Sequence, residues 1–173
     1  MTDKQQNLVL NHLEKTRYPL RNKVIFLLSF KAGLRAKEIS GIIWSMVCNS
    51  ESEVGQEITL ENKVSKGWYS GRVIPIHIDL RTLLVELLKQ RKQTEGFNLA
   101  ENIVFSERGC KISPQVVVNF FCILYKEIGF EGCSSHSGRR TFITNAAKNI
   151  PFVGGILNDV KMLAGHSNLQ TAS

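Results

Sequence analysis

With 173 residues, of which 43% are hydrophobic, the chain is long enough for one well-packed domain and short for two. Its 22 Lys and Arg exceed its 15 Asp and Glu and give a net charge of +7, which favours a polyanionic partner, although a modest excess also serves solubility alone. The N-terminus lacks an apolar signal core and no apolar run is long enough to span a membrane, so we expect a cytoplasmic protein.

The first part of the chain predicts two helices of different character. Residues 5–15 carry leucines in a polar background, which suits a short surface helix. Residues 21–31 follow Pro19, a residue typical of helix starts, and are too densely apolar for a solvated helix. The second segment is therefore predicted to be a helix of the core.

A turn follows the predicted core helix and positions an arginine. Gly33 is expected to end that helix as a left-handed cap, and another helix begins over residues 36–43. Arg35 then lies in the tight turn between two packed elements, where its side chain is rigidly aimed. The alternative is an arginine that merely extends from a helix end into solvent.

Between Trp44 and Pro75 the helical period gives way to the alternation of β-strands. Residues 57–60, 63–65 and 71–76 are strand-like, with glycines at the turn between them, which predicts a small antiparallel sheet. Lys66 falls at the tip of the hairpin, where a lysine can swing into a site. The alternative is an exposed lysine that keeps an edge strand soluble.

Two amphipathic helices follow the sheet. Leucines at helical spacing predict a helix over residues 80–91, with Asp79 as its N-cap. Ser113 and Pro114 open the next helix, whose apolar side chains, Val116 among them, are expected to face the core. Its aromatic residues continue this apolar stripe, so we interpret them as core and not as a base-stacking platform.

The last third of the chain brings histidines and a second arginine. Ser134 or Ser135 is expected to cap a helix that carries His136 and Arg139, which share one face because they are three residues apart. A final helix over residues 156–163 is ended by Gly165, so that His166 emerges at its C-terminus. With no repeat, low-complexity tract or linker, we predict a single domain that is mainly α with a small antiparallel β-sheet.

The candidate site residues form a cationic set without matching carboxylates. They are two arginines, one lysine and two histidines: Arg35, Arg139, Lys66, His136 and His166. Such donors suit the charge of a phosphoryl transition state and not general acid/base work on a sugar or peptide. The four cysteines (Cys48, Cys110, Cys122 and Cys133) have no metal-site spacing and are interpreted as reduced, mostly buried thiols. No metal or cofactor is expected, since no carboxylate cluster suits two Mg²⁺ ions.

These residues, in this order, resemble the catalytic domain of the tyrosine recombinase (phage integrase) family. Gly33 to Glu38 is similar to the family's first arginine block, with Arg35 as its catalytic arginine and Glu38 as the supporting acid. Lys66 resembles the hairpin lysine at a spacing about one residue longer than is typical, which leaves Lys63 as a lesser candidate. The His-x-x-Arg box and the Leu-x-Gly-His segment are matched by two further stretches, His136 to Arg139 and Leu163 to His166.

The resemblance implies a reaction on double-stranded DNA. In this family a tyrosine attacks a phosphodiester and forms a 3′-phosphotyrosyl link without metal or cofactor. Arg35 and Arg139 would then grip the non-bridging oxygens, and Lys66 would protonate the leaving 5′-oxygen. His136 and His166 would donate hydrogen bonds to the phosphate, with a helix-terminal histidine that interacts only with the helix dipole as the alternative for His166.

Several features depart from the family pattern. Gly138 stands where an apolar residue is more usual, which we expect to loosen local packing. The family's tyrosine would follow His166 by roughly nine residues, beyond Ser173, and Tyr18, Tyr69 and Tyr125 lie in other parts of the pattern. The family's N-terminal core-binding domain is likewise expected to be absent from this chain. We therefore expect an inactive, monomeric fragment of a protein that acts as a tetramer on DNA.

Other classes remain open from sequence alone. A non-catalytic DNA-binding fragment or a decayed integrase is the main alternative, and a tyrosine just past Ser173 would argue against it. A type IB topoisomerase relative is less favoured, because the segment from Leu163 to Ser167 resembles the integrase pattern. A helical scaffold with a basic face is the least specific alternative.

Overall fold

The second helix of the chain lies at the centre of the structure, and other helices pack around it. The computed structural model describes residues 1–61, 71–107, 109–150 and 156–165. Within these ranges the structure has seven α-helices, a 3₁₀-helix at Trp44–Met46 and two β-strands. The helices are α1 (Asp3–Glu14), α2 (Pro19–Phe30), α3 (Ala36–Gly41), α4 (Ile78–Lys92), α5 (Pro114–Glu127), α6 (Ser137–Asn149) and α7 (Leu157–Ala164), and the strands are β1 (Glu57–Leu60) and β2 (Arg72–Pro75). The predicted fold class, mainly α with a small antiparallel sheet, is confirmed.

The core is built on α2, as its dense apolar sequence predicts. Val24, Phe26 and Leu28 are fully buried, because α1, α4 and α6 cover the helix from different sides. α3 packs on α5, and α7 contacts both α6 and β2. These contacts bring together the start of α3, the start of β2 and the end of α7.

β1 and β2 form an antiparallel pair in which Leu60 lies opposite Arg72. Both strands bury alternate residues, and the inward face of β2 carries Arg72 and Ile74. The predicted antiparallel sheet is therefore confirmed for these two strands. Residues 63–65, which were expected to be strand-like, lie outside the described part of the chain.

The N-cap residues of the helices agree only in part with those predicted from the sequence. Thr2 caps α1 through a reciprocal bond with Gln5, and Ser113 caps α5 as predicted. The predicted cap of α4 is wrong, because His77, and not Asp79, precedes the helix and accepts the Asp79 amide. α6 likewise begins one or two residues later than predicted, with His136 at its N-cap position.

Two predictions of burial are wrong. Val116 on α5 is 49% exposed, since the buried stripe of that helix runs through Val117 and Phe121. None of the four cysteines forms a disulfide, but none is buried, and Cys110 and Cys122 are exposed. The described helices include none that is long and apolar enough to cross a membrane.

Gly33 forms the left-handed turn that the sequence predicts. Its φ is +64°, and a Cβ atom at this position would lie 2.3 Å from the ring of Phe142. A side chain is therefore excluded both by backbone conformation and by the close approach of α6. This contact places α6 directly against the turn that precedes Arg35.

Gly138 tightens the packing of α6 on α2, so the expected loosening is wrong. A Cβ atom at Gly138 would lie 2.5 Å from the Oγ of Ser29 and 3.1 Å from its Cβ. The hydroxyl of Ser29 is buried and has no hydrogen-bond partner among the described residues. Because Gly138 has no side chain, α6 and α2 can approach each other closely next to Arg139.

Gly138→Ala tests this contact. Alanine normally stabilises a helix relative to glycine, but here we expect a loss of about 1–3 kcal/mol in the free energy of unfolding because the new methyl overlaps Ser29. Urea unfolding followed by circular dichroism measures the change. Ser29→Ala in the same chain removes the nearest overlapping atom and is expected to restore part of the loss. Equal or higher stability of the single variant would show that the helices are not in close contact.

Candidate active site

Arg35 is held at the start of α3 by the turn that Gly33 makes possible. Its backbone N–H donates to Glu38 Oε2 at 2.7 Å, and its Nη1 donates to Glu38 Oε1 at 3.1 Å. Both bonds come from the N-cap position to a carboxylate one turn into the helix, where a negative charge is stabilised. The side chain of Arg35 is 26% exposed, so its guanidinium reaches the surface in a fixed direction.

A second arginine, which lies outside the motifs that predict the site, shares the same carboxylate. Arg72 Nη1 and Nη2 donate to Glu38 Oε1 and Oε2 at 2.7 Å and 2.9 Å, and both side chains are almost fully buried. The strand alternation already indicates this, because Arg72 has the same parity as the inward-facing Ile74. A buried guanidinium needs a partner, and Glu38 supplies it.

Arg139, in the first turn of α6, completes a cluster with Arg35, Arg72 and Glu38. It is 6% exposed, and its Nη1 and Nη2 donate to the backbone carbonyls of Gly33 and Ala164. The carbonyl of Ala164 lies at the C-terminus of α7, where a positive charge is favourable. Arg139 thus links the turn before α3 to the end of α7.

Gly165, just after α7, contacts both Arg35 and Arg72. Arg35 Nη2 donates to the carbonyl of Gly165 at 3.1 Å. Gly165 has φ +59°, and a Cβ atom there would lie 2.7 Å from Arg72 Nη1. The guanidinium groups of Arg35 and Arg139 therefore bind neighbouring carbonyls, those of Gly165 and Ala164, and converge on the end of α7.

The electrostatics of the cluster favour an anion. Burial raises the pKa of the Glu38 carboxyl, but the bonds and charges of Arg72 and Arg35 outweigh it, so that this pKa lies below its ordinary value of 4.5. Burial and the charge of Arg35 lower the pKa of Arg139 to about 10, against the opposing effect of Glu38. Arg139 therefore stays protonated at neutral pH. Three guanidinium charges then face one carboxylate, a surplus suited to a phosphate group.

The other predicted site residues are placed differently. His136 occupies the exposed N-cap position of α6, and its ring makes no hydrogen bond within the described ranges. Lys66, its alternative Lys63 and His166 lie outside the described residues. Of the predicted set, the described structure brings together Arg35, Glu38 and Arg139. No group of three or more His, Cys, Asp or Glu suited to a metal ion occurs in the described part of the chain.

Comparisons with known proteins identify the family. The chain matches the model of the phage integrase family over residues 1–173 and belongs to that family. Tyrosine recombinase XerC of Rickettsia bellii (strain OSU 85-389) is 28% identical over 176 residues, covering 99% of this chain and 53% of the relative. The chain spans about half the length of the curated relatives it matches.

Solved structures show the same fold. The crystal structure of XerA recombinase superposes with a TM-score of 0.75 at 18% identity, covering 99% of this chain and 56% of that one. The Tn1549 transposon integrase in complex with transposon right end DNA gives a TM-score of 0.73 at 18% identity, covering 99% and 59%. The resemblance read from the motifs is therefore confirmed at the level of family and fold.

Glu38→Gln tests the charge state of the buried carboxylate. Because its pKa is depressed in the folded state, ionised Glu38 contributes stability above its unfolded value of 4.5, which is lost as the pH falls through the lower folded value. We expect the variant to lose about 3 kcal/mol at neutral pH and to lack this acid-dependent component. Urea unfolding over about pH 3 to 7 measures both effects.

Glu101→Gln is the matched control for this prediction. Glu101 pairs with Arg91, but the two side chains are 29% and 21% exposed, so the pair is better solvated than that of Glu38. The control is expected to be much less destabilised. An acid titration of stability in Glu38→Gln that matches the wild type would contradict an ionised Glu38 in the cluster.

Proposed function

We propose that residues 1–173 form the catalytic domain of a site-specific DNA recombinase, which breaks and rejoins strands through a 3′-phosphotyrosyl intermediate. The observation that carries this proposal is the convergence of Arg35 and Arg139 on neighbouring carbonyls at the end of α7. Membership of the phage integrase family supports the reaction class. The XerC and XerA relatives are tyrosine recombinases by name.

In the proposed reaction the arginines stabilise the charge that develops at phosphorus. Arg35 and Arg139 donate to the two non-bridging oxygens, and their positions are fixed before substrate binds, so little reorganisation is needed. As the tyrosine oxygen bonds to phosphorus, the bond to the 5′-oxygen breaks. Lys66 gives a proton to that leaving oxygen, while His136 takes the proton of the tyrosine. His166 donates a further hydrogen bond to the phosphate.

The nucleophile we propose is a tyrosine that follows His166 in the full-length protein. Tyr125 is unsuited to the role: it is 2% exposed, and burial raises the pKa of its hydroxyl well above the usual range. The ring of Tyr18 is covered by the guanidinium groups of Arg17 and Arg21, which lie 5.2 Å and 4.6 Å from its centroid.

The proposed partner is double-stranded DNA, with a tetramer of the full-length protein on the DNA. The net charge of +7 suits a polyanion, and the Tn1549 integrase, which shares the fold, was solved with transposon DNA. A non-catalytic DNA-binding fragment is not favoured, because the family match extends over the whole chain and the arginine cluster is complete within it. Anchoring to DNA alone does not require three guanidinium groups around one buried carboxylate.

Arg139→Ala in the full-length protein tests the proposed chemistry. We expect cleavage to fall about a thousandfold, because a preorganised donor to the transition state is lost. DNA affinity is expected to stay within about threefold, since one phosphate contact is a small part of the interface. A nicked suicide duplex, selected by wild-type binding from a random-sequence pool, serves for both measurements.

Arg140→Ala is the matched control, because Arg140 is the exposed neighbour of the buried Arg139 on α6. It removes the same charge and is expected to leave the cleavage rate unchanged. Undiminished cleavage by Arg139→Ala, or an equal loss in both variants, would reject the role proposed for Arg139.

A further inference from the structure

Arg72 carries most of the charge pairing of Glu38 but is not itself available to a ligand. Its side chain is 3% exposed, against 26% for Arg35, and both of its terminal nitrogens are directed at the Glu38 carboxylate. Arg35 makes one side-chain bond to the same carboxylate, at the longer distance of 3.1 Å. The buried arginine thus binds Glu38 in the bidentate geometry, while the partly exposed Arg35 binds it through a single guanidinium nitrogen.

This division of bonds decides where the Arg35 guanidinium points. A carboxylate attracts a bidentate arginine strongly, and Glu38 without Arg72 would have only Arg35 as its guanidinium partner in the described structure. The guanidinium of Arg35 would then turn toward Glu38, to bind it through two nitrogens, and away from the surface. Arg72 binds both carboxylate oxygens from the buried side, and Arg35 is left with one guanidinium bond to Glu38.

Arg72 also supports the turn that ends α7. A Cβ atom at Gly165 would lie 2.7 Å from Arg72 Nη1 and 3.2 Å from its Cδ, so the backbone of this turn rests on the guanidinium. The carbonyl of the same glycine accepts from Arg35. A change at Arg72 therefore acts on Arg35 along two routes, through Glu38 and through Gly165.

We propose that Arg72 is a positioning residue for DNA cleavage, which holds Glu38 and the end of α7 so that Arg35 presents its guanidinium to the phosphate. The inference rests on the proposed recombinase function. Lysine cannot replace Arg72, because its ammonium group is a single point charge and cannot donate two parallel hydrogen bonds to both oxygens of the Glu38 carboxylate. Arg72 itself does not touch the substrate.

The experiment compares three variants of the full-length protein: Arg72→Lys, Arg72→Gln and the double variant Arg72→Gln with Glu38→Gln. Single-turnover cleavage of the selected suicide duplex gives the rate, fluorescence anisotropy on the same duplex gives the Kd, and circular dichroism gives the Tm. The double variant removes the unpaired buried carboxylate that Arg72→Gln leaves, so it keeps a folded protein available for the test.

We expect Arg72→Lys to lower the cleavage rate by about tenfold to a hundredfold while the Kd changes by less than about twofold. The double variant is expected to regain Tm relative to Arg72→Gln without regaining the rate. Arg91→Gln is the matched control, since it removes an arginine from another arginine–glutamate pair, and it is expected to leave the rate unchanged.

Two results would overturn the inference. One is a cleavage rate of Arg72→Lys within about twofold of wild type. The other is a rate that rises together with Tm in the double variant, which would make Arg72 a structural residue only. If wild type cleaves and Arg139→Ala does not, either result removes only the role of Arg72. A wild-type protein that fails to cleave would instead reject the proposed function, and this inference with it.

Discussion

The structure of the site depends on one buried carboxylate held between two guanidinium groups. Glu38 is 1% exposed, and an ionised carboxylate in such a place is tolerated only when its oxygens are fully hydrogen-bonded to positive partners. Arg72 supplies two of those bonds from β2, and Arg35 supplies two from the start of α3. The carboxylate therefore fixes two distant segments of the chain and leaves the exposed guanidinium aimed at the surface.

Glycines make this arrangement sterically possible. Gly33 admits the ring of Phe142 and turns the chain into α3, Gly138 admits Ser29, and Gly165 admits the guanidinium of Arg72. At each position a Cβ atom would overlap a neighbour, so the three helices α2, α6 and α7 approach the cluster more closely than larger residues allow. Arg139 then joins two of these segments by binding the carbonyls of Gly33 and Ala164.

Local patterns in the sequence predicted much of this, and long-range contacts account for most of the rest. The density of apolar residues predicted the core helix α2, the Gly33 turn was predicted from the helix end, and ordered motifs predicted Arg35, Glu38 and Arg139. The pairing of Arg72 with Glu38 was missed because the two residues are 34 positions apart in the sequence, although strand parity already placed Arg72 on the inward face. Gly138 was misjudged because its neighbour lies on another helix, and the caps of α4 and α6 were misplaced by one or two residues because several polar residues compete there.

If Arg35 and Arg139 form one anion site whose geometry Glu38 and Arg72 maintain, both arginines should bind a single phosphate analogue. A crystal structure of the chain soaked with orthovanadate examines this, because vanadate resembles both phosphate and the phosphoryl transition state. We expect one vanadate whose oxygens accept hydrogen bonds from both guanidinium groups, with the bidentate pair of Arg72 and Glu38 unchanged. Guanidinium groups of Arg35 and Arg139 on different faces, or a vanadate bound by neither, would contradict it.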